Sequence, residues 1–190
     1  MRQEKMNMPK IKICGLSRPE DITYINEAKP DYCGFIIDVP KSRRNVSISK
    51  VRELVQNLES QICPVGVFVN KDCGEVAQLL NEGTIQIAQL HGQEDEAYIR
   101  RIQKNTGHQV IKVFSVKTAQ DIENALKSPA DYILLDQGGG GTIAYILANY
   151  GMSVIDSGVA VLNMHAPWEL ISKVDLYEAY NGYVAFLKEA

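Results

Sequence analysis

The sequence has no long apolar run, no closely paired cysteines and no glycine-rich nucleotide signature. Its apolar stretches fall far short of the roughly 20 residues that a membrane helix needs, so we expect no membrane partner. The four cysteines form no CxxC pair, which disfavours a zinc ribbon or a redox dithiol. The polar start of the chain does not resemble a signal peptide, and we expect a cytoplasmic protein with free thiols. Because neither GxGxxG nor GxxxxGK[ST] occurs, the usual dinucleotide and P-loop sites are excluded.

The sequence also lacks a large excess of charge of either sign. The 20 Lys and Arg residues nearly balance the 23 Asp and Glu residues, for a net charge of −3. A chain with this balance has no strong field to attract nucleic acid, so we expect no nucleic-acid partner. With 190 residues and 45% hydrophobic residues, it has enough apolar material for a single core. We predict an N-terminal tail at 1–10 and a single domain at 11–190.

Short apolar segments alternate with amphipathic segments over most of the chain. The predicted strands are residues 11–16, 31–37, 64–69, 84–90, 108–114 and 131–136. Amphipathic helices are predicted between them, the first with Ser17 as its N-cap. Strands that alternate with helices are typical of parallel βαβ units.

Two architectures are consistent with this alternation: an open doubly wound sheet and a closed (β/α)8 barrel. Residues with reactive side chains end the predicted strands, namely Cys14, Asp38, Asn70, His91, Ser115 and Asp136. A doubly wound sheet concentrates its site at one switch point, whereas a barrel draws on all of its βα loops. The distribution therefore favours an α/β fold of the (β/α)8 TIM-barrel type.

The length of the chain predicts that this barrel is incomplete or distorted in its last quarter. Only 54 residues follow Asp136, whereas two further βα units need about 70 residues at the spacing of the earlier units. We predict an atypical segment at 143–190, with a distorted closure at 143–162 and a terminal helix at 168–189. An incomplete barrel leaves a sheet edge uncovered, which predicts self-association.

Several residues each allow a structural and a functional interpretation. Cys14 is either a small core residue or a reactive thiol, and Asp136 is either a loop cap or a catalytic acid. Arg44, next to Arg43, is either solvated or a clamp for an anionic substrate. His91 fits a hydrogen-bonded structural histidine. The run Gly138–Gly141 is either a cradle for phosphate or a flexible loop.

Taken together, the motifs at these strand ends resemble those of the phosphoribosylanthranilate isomerase family. They are KICGL (12–16), GF (34–35), SRRNVS (42–47), VGVFVN (65–70), QLHG (89–92) and LLDQGGGGT (134–142). The resemblance implies a (β/α)8 fold and a role in tryptophan biosynthesis. The implied reaction is the Amadori rearrangement of N-(5-phosphoribosyl)anthranilate to 1-(2-carboxyphenylamino)-1-deoxyribulose 5-phosphate.

The resemblance also implies roles for individual residues. Cys14 is expected to be the general base and Asp136 the general acid. Arg44 is expected to bind the anthranilate carboxylate, and His91 is a second substrate-binding residue. The reaction passes through an iminium that serves as the electron sink, so no cofactor and no metal are expected.

The resemblance weakens after Thr142. Phosphate sites of such barrels lie at strands seven and eight, and the candidates left in this chain are Gly139, Gly140, Gly141, Ser157 and Gly158. A natural deletion, a chimeric sequence and an engineered sequence all fit this departure. A second hypothesis is therefore a catalytically impaired barrel remnant that acts as an interaction or regulatory protein.

Overall fold

The computed structural model describes residues 10–115 and 118–136, and two short strands beyond them. Contacts divide the chain into a unit of residues 10–143 and a unit of residues 1–9 and 144–190. In the second unit, β8 (Val161–Leu162) and β9 (Leu170–Ile171) form an antiparallel pair. The terminal helix predicted at 168–189 is wrong at Leu170 and Ile171, which form β9, and the rest of it lies outside the described residues. A single domain over 11–190 stays a prediction.

A parallel sheet forms the centre of the first unit. Its strands are β1 (Lys12–Cys14), β2 (Tyr32–Ile37), β3 (Asn45–Val46), β4 (Cys63–Phe68), β5 (Ile87–Leu90), β6 (Gln109–Ser115) and β7 (Tyr132–Asp136). The order is β1-β2-β4-β5-β6-β7, and β3 pairs with the end of β2 outside this path. The six predicted strands and their parallel arrangement are confirmed, whereas β3 was not predicted.

Five helices connect these strands. They are α1 (Pro19–Ala28), α2 (Ile48–Val55), α3 (Cys73–Asn81), α4 (Glu96–Thr106) and α5 (Ala119–Leu126). Side-chain caps fix where several of them begin: the carboxylate of Asp95, for example, accepts the N–H of Tyr98 at the start of α4. The predicted N-cap Ser17 is wrong, because Arg18 occupies that position and the Asp21 carboxylate accepts the N–H groups of Ser17 and Arg18.

The two faces of the sheet have different surroundings. One face carries the main hydrophobic core against the helices, with Phe35 and Phe68 fully buried. Burial of such a side chain contributes about 1.5–3 kcal/mol. On the other face, Lys12 of β1 hydrogen-bonds Gln89 of β5, although β2 and β4 lie between these strands. A contact over three strand spacings requires the sheet to curve around this face, as in a barrel.

The described sheet remains open at both edges. Among the described residues, β1 pairs with β2 alone and β7 with β6 alone. The prediction of an incomplete α/β barrel is confirmed for this part of the chain. The closure predicted at 143–162 lies outside the described residues, apart from the two residues of β8.

Candidate active site

The thiol of Cys14 lies at the carboxyl end of β1. Cys14 is exposed and unpaired, and its carbonyl oxygen accepts a hydrogen bond of 3.4 Å from Nη1 of Arg44. Both residues line a cavity of about 430 Å³, to which Arg18 also contributes. The structure therefore brings together the predicted general base and the arginine predicted to bind the anthranilate carboxylate.

Two glycines allow this close approach. Gly15 has a φ of +93°, and a Cβ on it would lie 2.6 Å from Cδ of Arg44. A Cβ on Gly34, which pairs with Cys14 in the neighbouring strand, would lie 2.5 Å from Sγ of Cys14. Substitution at either glycine would displace one of these two side chains, because real Cβ contacts are longer.

Asp136 is the last residue of β7, and its carboxylate contacts His91, which directly follows β5. Nε2 of His91 lies 3.2 Å from Oδ2 of Asp136, and both side chains are exposed to about half of their area. They line a second cavity of about 410 Å³ together with Ser115. His91 was predicted as a substrate-binding residue, and its contact with the predicted general acid was not anticipated from the sequence.

Strand register relates the two pairs. Cys14 aligns with Gly34, Val65, Ile87 and Gln109 in successive strands, and Asp136 aligns with Ser115, which lies an even number of residues after Gln109 in β6. Because side chains alternate along each strand, Cys14 and Asp136 lie on the same face and at the same end of the sheet. They line different cavities in the described part of the chain. The predicted phosphate-binding residues all lie outside the described residues: Gly139, Gly140, Gly141, Ser157 and Gly158.

An ion pair that the sequence analysis missed lies beside the second cavity. Nζ of Lys112 is 3.0 Å from Oε2 of Glu94, and the exposed fractions of the two side chains are 8% and 2%. Burial acts to raise the pKa of Glu94, but hydrogen bonds from Lys112 and from backbone N–H groups outweigh it and hold this pKa below its usual value. The sequence signal is the lysine itself, because a lysine in an apolar strand is rarely buried unless it is paired.

Comparison with known proteins relates the chain to one enzyme family. The family model described as N-(5'phosphoribosyl)anthranilate (PRA) isomerase matches residues 11–144. The chain belongs to the phosphoribosylanthranilate isomerase family. Over 129 residues it is 40% identical to the N-(5'-phosphoribosyl)anthranilate isomerase of Endomicrobium trichonymphae, a match that covers 68% of this chain. The same match covers 62% of that isomerase, so the chain spans less than two thirds of its relative.

A solved structure of a phosphoribosylanthranilate isomerase supports this assignment. The chain superimposes on it with a TM-score of 0.65 and 30% sequence identity, covering 76% of this chain and 71% of the other. That isomerase was crystallised in complex with reduced 1-(O-carboxyphenylamino)-1-deoxyribulose 5-phosphate. The resemblance in sequence is thereby confirmed, as is a fold of the TIM-barrel type that is incomplete in the described residues.

A shorter match leads to a differently named protein. Over 53 residues the chain is 77% identical to the "probable M18 family aminopeptidase 1" of Clostridium acetobutylicum. This match covers 28% of the chain and 11% of the aminopeptidase. The isomerase match ends at residue 144, and 46 residues of the chain follow it.

Cys14 is more exposed than the other three cysteines of this isomerase family member. Burial raises the pKa of Cys33 to about 12 and raises the pKa of both Cys63 and Cys73. Cys14 is the one exposed cysteine of the four.

Within the described ranges, no group of three or more His, Cys, Asp or Glu residues is placed to hold a metal ion. No helix among those residues is long and apolar enough to span a membrane.

Replacing Lys112 with methionine is expected to lower the free energy of unfolding by about 3–5 kcal/mol near neutral pH, because the Glu94 carboxylate stays buried without its cation. Urea denaturation measures this loss. The loss should shrink as the pH falls, because burial raises the pKa of an unpaired Glu94 and protonation then removes the buried charge.

The control for this experiment is Lys50→Met. Lys50 pairs with Glu53 at 2.8 Å on the surface of α2, where the exposed fractions are 33% and 60%. An exposed pair of this kind contributes less than about 1 kcal/mol. Equal losses in the two variants would contradict the stabilising role of the buried pair.

Proposed function

We propose that this chain catalyses the Amadori rearrangement of N-(5-phosphoribosyl)anthranilate to 1-(2-carboxyphenylamino)-1-deoxyribulose 5-phosphate. The observation that carries the proposal is the placement of Cys14 and Asp136 on one face and one end of the sheet in a chain of this family. We place the reaction in the cytoplasm, as a step of tryptophan biosynthesis, with this small phosphorylated compound as the substrate and with no nucleic-acid partner.

In the proposed reaction the protein makes two proton transfers, and a tautomerisation then gives the product. Asp136 donates a proton to the furanose oxygen as the C1′–O bond breaks, and the nitrogen lone pair forms an iminium with C1′. The thiolate of Cys14 then removes the proton from C2′. The electrons of that C–H bond form an enolamine, which tautomerises to the aminoketose. The iminium accepts the electrons, so the steps balance without a metal or a redox cofactor.

Arg44 assists the step at Cys14, and His91 assists the step at Asp136. The guanidinium of Arg44, beside Cys14, pairs with the anthranilate carboxylate and sets the distance between C2′ and the thiol. The imidazole of His91 contacts the carboxyl group of Asp136 and orients it toward the ring oxygen. The glycine run 139–141, with Ser157 and Gly158, is the remaining candidate for the phosphate.

Complementation and a direct assay test this proposal. Expression of the chain in a tryptophan auxotroph that lacks this isomerase should restore growth without tryptophan. Purified chain should consume N-(5-phosphoribosyl)anthranilate, which the change in anthranilate fluorescence reports. A folded protein that neither restores growth nor consumes the substrate would exclude the isomerase.

The aminopeptidase match favours a second candidate, a catalytically impaired barrel remnant that acts as an interaction protein. We infer that this stretch of 53 residues takes in the tail after residue 144, because the isomerase match ends there and 46 residues follow it. A tail derived from another family would supply neither the seventh nor the eighth βα unit. The phosphate loops of the isomerase would then be missing.

The open sheet suggests that such a remnant associates with itself. The edge strands β1 and β7 carry apolar side chains that are about 40% exposed, Ile13 and Tyr132. Unpaired sheet edges and exposed apolar residues promote edge-to-edge pairing between copies. Sedimentation velocity over a range of concentrations should show a concentration-dependent dimer, whereas a monomer at every concentration would contradict this association.

A further inference from the structure

The backbone of His91 is held on both sides. Its own N–H donates to the carbonyl of Phe68 at the end of β4, at 2.8 Å. On its other side, the N–H of Gly92 donates to Oε2 of Glu94 at 2.9 Å. The carbonyl of Gly92 accepts a hydrogen bond of 2.7 Å from Nζ of Lys112. The peptide groups on both sides of His91 are therefore held by hydrogen bonds that do not involve its imidazole.

Glu94 also joins this loop to the preceding one. Its Oε1 accepts the N–H of Asn70 at 2.6 Å, and Oδ1 of Asn70 accepts the N–H of Gln93 at 2.7 Å. Asn70 has a φ of +52°, a conformation that Asn tolerates better than most residues. A Cβ on Gly92 would lie 2.7 Å from the nitrogen of Asn70, so the two loops pack in direct contact.

Lys112 reaches this junction from the helix-covered face of the sheet. It aligns with Leu90 and Ile133 in the neighbouring strands, whereas Asp136 lies on the opposite face. A buried ion pair is often replaceable by apolar residues without loss of stability. Here, however, the pair also binds three backbone groups of the site loops, and apolar side chains could not hydrogen-bond those groups.

We propose that Glu94 and Lys112 are positioning residues, which hold the His91–Gly92 backbone so that the imidazole of His91 orients the carboxyl group of Asp136. The structural part of this proposal stands on contacts alone. Its kinetic consequence rests on the proposed isomerase function. Loss of the pair should impair the chemical step more than substrate binding, because the proposed function uses His91 to orient Asp136 and leaves Arg44 in place to bind the anthranilate carboxylate.

The test uses the full chain with the double substitution Glu94→Gln and Lys112→Met, which leaves no unpaired buried charge. We expect kcat to fall about tenfold or more with KM within about twofold, the signature of a contact that acts in the transition state. We also expect the nuclear Overhauser contact between the His91 ring and the Asp136 side chain to disappear. The surface double variant Lys50→Met and Glu53→Gln should retain both properties.

The single substitution Glu94→Gln provides a second arm, because it keeps the shape of the side chain and one acceptor oxygen. It should weaken the same contact in the NMR spectrum. A folded variant, single or double, in which the contact between His91 and Asp136 keeps its parent intensity would overturn the proposal. Because this readout needs no turnover, it separates failure of the positioning role from failure of the isomerase function.

Discussion

Replacing Cys14 with alanine is expected to lower kcat of the proposed isomerisation by roughly 10²–10⁴, the usual contribution of a general base. The thiolate is the group that would remove the C2′ proton, and alanine offers no proton acceptor. KM should change little, because the Arg44 guanidinium, which donates to the backbone carbonyl of residue 14, is retained. Steady-state fluorescence kinetics on the purified variant measure both constants.

The matched control is Cys63→Ala. Cys63 begins β4, two residues before the position that aligns with Cys14, and its thiol is half-buried. This variant should keep kcat within about twofold of the parent chain. A Cys14→Ala variant with the parent kcat would show that another group removes the proton, and it would exclude Cys14 as the base.

Exchanging the tail is expected to produce the second large effect. Residues 145–190 are replaced by the segment that follows the matched part of the Endomicrobium trichonymphae isomerase. The exchanged chain should bind a phosphorylated product analogue with micromolar instead of millimolar affinity, a difference of about 4 kcal/mol. The reason is that barrels of this kind bind phosphate through the loops after their seventh and eighth barrel strands. In this chain β7 is the sixth strand of the barrel path, so both of those strands would follow it.

Isothermal titration calorimetry on both chains measures this difference. The same analogue without its phosphate serves as the control, and it should bind the two chains equally. Micromolar binding of the phosphorylated analogue by the parent chain would show that its own tail already forms a competent phosphate site. The tail would then have to be interpreted as a rebuilt part of the barrel.

The sheet was predictable because its strands have nearly continuous apolar sequences, which are typical of strands buried on both faces. The sequence VGVFV of β4 is an example, and its residues are buried from Pro64 to Phe68. The strand β3 escaped prediction because two residues, Asn45 and Val46, carry no periodic pattern. Its pairing with β2 depends on the path of a loop, which periodicity does not describe.

The candidate site was predictable in part. Strand ends identified Cys14 and Asp136 as candidates, since parallel strands present their carboxyl ends at one edge. The contact between His91 and Asp136 joins residues 45 positions apart, and spacing along the chain does not determine which side chains meet. Lys112 signals a buried partner by lying in an apolar strand, but three-dimensional packing alone selects Glu94 as that partner.

The strand order also determines how the sheet can assemble during synthesis. Each strand along the path from β1 to β7 pairs with the strand that precedes it there, so every added βα unit docks onto a unit already made. A closed barrel must in addition pair its last strand with its first, a step that waits until nearly the whole chain has been synthesised. The described sheet contains only the early, local pairings, which cost little loop-closure entropy. Residues up to Asp136 can therefore acquire their parallel pairing while the tail is still inside the ribosome.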